Sequence, residues 1–139
     1  MQCSTLFLGS FAVRTVLIVD DSQSIRTQLR ALLHQCDYTV VAEAENGLKA
    51  IDRYLRYKPD LVTLDVYMPQ LTGLEAAHEI FKFDPQAKVI VITSNLSQKT
   101  RLEAEELGVK TFIVKPLTLE KLQTALEHLN PEKKAKNYG

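Results

Sequence analysis

The sequence predicts a doubly wound α/β domain, a five-stranded parallel sheet with helices on both faces. Three observations carry this. Five short apolar runs rich in β-branched residues recur along the chain, mostly without in-out alternation, as strands buried on both faces do. Segments with helical spacing separate the runs, so the order is β-α five times, which implies parallel pairing and right-handed crossovers. The 139 residues allow one ordinary domain and little more.

The strands are expected at Val16-Leu17-Ile18-Val19, Tyr38 to Ala42, Leu61 to Leu64, Val89 to Ile92 and Thr111 to Val114. In the first helical segment Ile25, Leu29, Leu32, Leu33 and Cys36 share one face. Leu48, Ile51, Tyr54 and Leu55 form the second stripe, and Leu74, Ala77 and Phe81 the third. Leu119, Leu122, Leu126 and Leu129 form the fifth. The fourth segment, Ser97 to Leu107, has only Leu102, Ala104 and Leu107 as apolar anchors among several glutamates. It is read as a helix because Gly108 suits a C-cap and two strands must be joined. Its weak apolar face makes it the least firmly held helix. Gly47 and Gly73 fall near helix starts, and Pro59 and Pro85 fall just before strands.

Composition excludes several classes. Apolar residues make up 45% and charged residues 24%, a globular mix. Seventeen Lys and Arg balance seventeen Asp and Glu. That balance argues against nucleic acid or anionic membrane as a general partner. No apolar stretch approaches a bilayer span. Cys3 and Cys36 are too few and too far apart for a zinc site or a Cys-x-x-Cys pair. Two thiols in a reducing compartment are the reading, with a single disulfide as the alternative. Residues 1–13 carry Leu6-Phe7-Leu8 and Phe11-Ala12-Val13 without a preceding Lys or Arg. They read as an apolar extension rather than a signal peptide, able to pack on the domain or on a second copy. The domain proper spans 14–129, and 130–139 is a polar tail too small for an output domain.

Ligands of an open parallel sheet gather at the carboxyl ends of the strands. The first strand ends in Asp20-Asp21, the third in Asp65, the fourth in Thr93-Ser94-Asn95, and the fifth in Lys115-Pro116. After the second strand, Glu43 and Glu45 read as loop residues. Each feature alone has an ordinary structural explanation. Two acids can open a helix, an Asp can start a turn, a Thr can bond backbone, and a Lys can be a solvated charge. Together they are complementary. Clustered carboxylates repel one another and are stabilised by a cation. Oxygen-only ligands favour a hard ion such as Mg²⁺. A lysine, a hydroxyl and backbone donors complete a site for a tetrahedral dianion. This equipment suits phosphoryl transfer to a carboxylate.

These residues resemble the receiver domain of two-component signalling, the CheY-like response regulators. The match rests on Val16 to Asp21, Glu43-Ala44-Glu45-Asn46-Gly47, Asp65 with Met68-Pro69 and Gly73, Ile92-Thr93-Ser94, and Phe112 to Pro116. It covers about Arg14 to Leu129, with five motifs in the family's order. The resemblance implies a flavodoxin-like sheet of strand order 2-1-3-4-5 and Mg²⁺ as cofactor. Asp65 resembles the phosphoacceptor. Asp21 would bind the metal directly, Asp20 through water, and the Tyr67 backbone carbonyl would be a further ligand. Lys115 would pair with Asp65 and then with a phosphoryl oxygen. Thr93 would hydrogen-bond the phosphoryl group beside the backbone N–H groups of Val66 and Ser94. The Lys115-Pro116 bond would be cis. Thr93 and Phe112 would form the switch, reshaping the surface made by the fourth helix, fifth strand and fifth helix, where a downstream protein would bind. Tyr67 and Asn95 would tune phosphoryl lifetime.

The phosphoryl group would come from a sensor histidine kinase or a histidine phosphotransfer protein, since His34, His78 and His128 lack the surroundings of a donor site. The expected protein is a cytoplasmic, stand-alone switch rather than an enzyme, a monomer or weak dimer, in chemotaxis-type or other signalling. A receiver cut from a longer regulator and a phosphorelay intermediate are the alternatives. A small-molecule kinase would need a nucleotide loop such as Gly-x-x-x-x-Gly-Lys, which is missing.

Overall fold

A computed structural model describes residues 14–130. The expected apolar extension and the tail beyond Asn130 lie outside the described residues. The elements are β1 (Arg14–Val19), α1 (Gln23–Gln35), β2 (Tyr38–Ala44), α2 (Gly47–Tyr57), β3 (Leu61–Leu64), α3 (Gly73–Phe83), β4 (Val89–Thr93), α4 (Gln98–Leu107), β5 (Thr111–Val114) and α5 (Leu119–Leu129). All strand pairs are parallel, in the order β2-β1-β3-β4-β5. β1 begins earlier than its apolar run because Arg14 and Thr15 pair with Tyr38 and Thr39. β2 runs on to Ala44, which corrects the placement of Glu43. It is a strand residue opposite Ile18, and Glu45 is the loop residue.

Successive strand residues feed two cores. Leu17, Val19, Val62, Leu64, Val89 and Val91 face one way, toward α2, α3 and α4. Val16, Ile18, Leu61, Ile90, Ile92 and Ile113 face α1 and α5. Each fully buried aliphatic side chain contributes roughly 1.5–3 kcal/mol. In α1, Leu29 and Leu33 are buried and Ile25, Leu32 and Cys36 pack beside them, as the spacing requires. In α2 the buried stripe is Gly47, Ala50 and Tyr54, with Ile51 partly covered. Leu48 is 57% and Leu55 40% exposed, which corrects the expected stripe. A tally of large apolar residues misses that the small Gly47 and Ala50 are what permit close packing. Leu102 is likewise exposed, and α4 buries only Thr100 and Ala104. The expected weak anchoring of α4 is therefore weaker still. Gly108 closes α4 with φ 123°, a conformation suited to glycine.

Every helix carries an N-cap hydroxyl or amide: Ser22, Asn46, Thr72, Ser97 and Thr118 each accept from the backbone N–H three residues on. Thr72 and Glu75 form a full capping box at α3. These caps set the helix starts at the carboxyl edge of the sheet, beside the strand ends that carry the chemistry. No helix among the described residues is long and apolar enough to cross a membrane.

Candidate functional site

Adjacency of β1 and β3 builds the site. Val19 pairs with Leu64, so Asp20 and Asp65 leave the sheet side by side. The Asp65 N–H donates to the Val19 carbonyl at 3.0 Å, and the Asp20 N–H to the Ala44 carbonyl at 3.0 Å. These bonds carry the ladder one residue past the strands. Asp21 follows directly. One carboxylate oxygen from each of Asp20, Asp21 and Asp65 lies within 4.8 Å of the others. Asp20 is 1% and Asp65 7% exposed, while Asp21 is open to solvent. The acids do not serve to open α1, because Ser22 caps that helix and its first turn holds no acid.

Lys115 reaches this cluster from β5. The β4–β5 pairing extends through the Lys115 N–H to the Thr93 carbonyl at 2.9 Å. Its side chain is only 15% exposed, so it is not a solvated surface charge. Its Nζ donates to Asp20 Oδ2 at 3.0 Å and lies 3.7 Å from Asp65 Oδ2. The nearer partner is therefore Asp20, and the pairing with Asp65 that the resemblance implies is the longer of the two. The Lys115-Pro116 bond is cis. Asp20 Oδ1 also accepts the Ser22 N–H at 2.9 Å.

The electrostatics leave a deficit of positive charge. One lysine faces three carboxylates, and Asp65 shows the consequence. Burial pushes its carboxyl above the ordinary carboxylate range, and the Asp20 charge adds to that. Lys115 and the backbone N–H of Tyr67 oppose the rise. Such a cluster fits a hard divalent cation, because every donor is an oxygen and two are buried. Asp20, Asp21 and Asp65 are the residues that can hold it.

Gly73 makes room for this arrangement. A Cβ there would lie 1.9 Å from the Asp65 carbonyl oxygen, and its N–H donates to the Val66 carbonyl at 2.9 Å. Only glycine lets α3 start so close to the loop that follows Asp65. Thr93 ends β4 fully buried, and its Oγ1 accepts a long 3.5 Å bond from the Asn95 N–H. Ser94 and Asn95 are exposed beside it, Tyr67 is 53% exposed, and Val66 is buried. Phe112 is half-buried on β5, with the Arg101 guanidinium 4.5 Å from its ring centre. Arg101 and Phe112 border a groove between α4, β5 and α5 that Val114, Lys121 and His128 also line.

Sequence reasoning missed two supports. Arg26 of α1 and Glu43 of β2 meet beneath the Asp20-Asp21 turn. Lys121 donates to the carbonyls of Val114 and Pro116 at 2.9 Å each, on either side of Lys115. The one signal for the first was a charged residue on a strand, Glu43, with two arginines four apart on the preceding helix.

Residues 16–127 match the model of the response regulator receiver domain. The chain is 46% identical over 112 residues to the chemotaxis protein CheY of Listeria monocytogenes, covering 81% of this chain and 94% of that one. It is 40% identical to the CheY of Thermotoga maritima, covering 84% and 98%. Among solved structures it resembles a chain of the CheX-CheY-BeF3-Mg²⁺ complex from Borrelia burgdorferi, with TM-score 0.81, 32% identity, and coverage of 84% and 88%.

Proposed function

The chain belongs to the response regulator receiver family, phosphoacceptor switches of two-component signalling, and on that premise we propose that Asp65 is its phosphoacceptor. The observation that carries this is the convergence of Asp20, Asp21, Asp65 and Lys115 at one edge of the sheet. An Asp65 carboxylate oxygen forms a bond to phosphorus as the donor's P–N bond breaks, and the electron pair leaves with the histidine nitrogen. Asp21, Asp65 and the Tyr67 backbone carbonyl would hold Mg²⁺ directly, and Asp20 mainly through water. The chemistry supplied by bound Mg²⁺ is neutralisation of the phosphoryl oxygens. Lys115 moves from Asp20 toward a phosphoryl oxygen, and the Thr93 hydroxyl with the Val66 and Ser94 N–H groups takes the others. Tyr67 and Asn95, both exposed at the mouth, govern access of the hydrolysing water.

The switch runs through Thr93 and Phe112. Phosphorylation adds about −1.5 to −2 charges and three strong acceptors. Thr93 turning toward them opens space for Phe112, and the populations of two existing states shift. The groove bordered by Phe112 then changes shape and admits a protein target. The phosphodonor is a histidine kinase or a histidine phosphotransfer protein, in the cytoplasm. The chemotaxis names of the relatives support a chemotaxis-type pathway.

Incubation with acetyl phosphate and Mg²⁺ tests the assignment. Mass spectrometry should find one phosphoryl group on the wild type and none on Asp65→Asn. Full labelling of the variant at another residue would sink it.

A further inference from the structure

Beneath the acid cluster lies a polar clamp. Arg26 is the fourth residue of α1, and its side chain is 15% exposed. Its Nη1 donates to the Asp20 backbone carbonyl at 2.7 Å, and its Nε to Glu43 Oε1 at 2.8 Å. Arg30, one turn on, holds the other oxygen of Glu43 through Nε at 3.1 Å. Burial pushes the Glu43 carboxyl up, but Arg30 and Arg26 hold it below the ordinary range. Glu43 is therefore a fixed anion, anchored in the ladder opposite Ile18.

That carbonyl belongs to the peptide joining Asp20 to Asp21. On its other side the turn is pinned by the Asp20 N–H to Ala44 and the Ser22 N–H to Asp20 Oδ1. Asp21 is exposed, so the backbone of this turn decides where its carboxylate points. A freely rotating peptide would let Asp21 swing into solvent, away from Asp20 and Asp65.

We propose that Arg26 is a positioning residue for the metal site. Its planar fork, braced by Glu43, fixes the Asp20-Asp21 peptide so that all three carboxylates converge before the cation arrives. Two donors in fixed directions are needed, which a lysine ammonium does not reproduce. Pairing with Glu43 also balances the arginine's charge, so the clamp orients the acids without competing for them. This inference rests on the reading of Asp20, Asp21 and Asp65 as the Mg²⁺ site.

Mg²⁺ titration of the full chain by calorimetry tests it, beside thermal melting without metal. Arg26→Ala and Arg26→Lys should each weaken Mg²⁺ binding by roughly tenfold or more, the usual cost of losing a residue that supports metal ligands. Phosphorylation of both by acetyl phosphate should return to the wild-type rate at saturating Mg²⁺. Arg30→Ala removes an exposed pair with Glu43 and leaves the Asp20 carbonyl contact, so it should change Mg²⁺ affinity little. Wild-type affinity in both Arg26 variants would overturn the proposal, as would an equal loss in Arg30→Ala. If Arg26→Ala fails to fold, Arg26→Lys decides. Asp21→Asn separates the premise: Mg²⁺ binding undiminished in that variant removes the metal site itself, and the clamp with it. Loss in Asp21→Asn without loss in the Arg26 variants removes only the clamp.

Discussion

Asp65 binds protons in the native state more readily than in the unfolded chain, because burial and Asp20 raise its pKa. In the pH window above the usual Asp value the native state therefore holds more protons than the unfolded chain, and stability falls as pH rises through that window. Asp65→Asn should melt above the wild type at neutral pH without metal. The gap should close as pH drops below the ordinary carboxylate range, and shrink in Mg²⁺. Melting curves at several pH values check both trends. A constant gap at every pH would mean that charge is not its cause. Thr63 offers a second case. Among the described residues, its Oγ1 is the buried side-chain atom without a partner, in the middle of β3. Thr63→Val should stabilise by about 1 kcal/mol, read by urea denaturation. Gly73→Ala should do the opposite, at a cost of roughly 1–3 kcal/mol or more, because its Cβ meets the Asp65 carbonyl rather than a movable side chain. The site acids and Lys115 were legible because their types follow apolar strands in a fixed order. The nearer pairing of Lys115 with Asp20 was not, since it depends on how the chain after β5 leans across β4 and β3.

Helices differ in how well sequence spacing described them. α1 matched its stripe because its contacts are large aliphatics, Leu29 and Leu33. α2 did not, because Gly47 and Ala50 make its closest approach and Leu48 and Leu55 face outward. α4 was expected to be held least, and it buries only Thr100 and Ala104. Its amides should exchange with deuterium faster than those of α1 and α3, since few apolar contacts oppose local opening. Equal protection across the three helices would remove α4 as the mobile element of the switch. Arg101 of α4 stacks on Phe112, so any opening of α4 is felt at that ring.

For the whole molecule, charge balance hides a local imbalance at one edge of the sheet. Mg²⁺ binds the native state, so at one hundred times its dissociation constant it should add about 2.7 kcal/mol of stability. Chelation should abolish that gain, and Asp21→Asn should show little of it. Thermal melts with and without Mg²⁺ measure the difference. The sequence by itself determined the five β-α units, the parallel sheet and the identity of the acids, Thr93 and Lys115. Apolar periodicity and residue type are local properties, readable one segment at a time. Tertiary structure alone decided which carboxylate Lys115 grips, that Ser22 rather than an aspartate caps α1, and that Arg26 and Glu43 meet under the Asp20-Asp21 turn. Those contacts join residues from different strands and helices, and their distances exist only once β1 lies between β2 and β3.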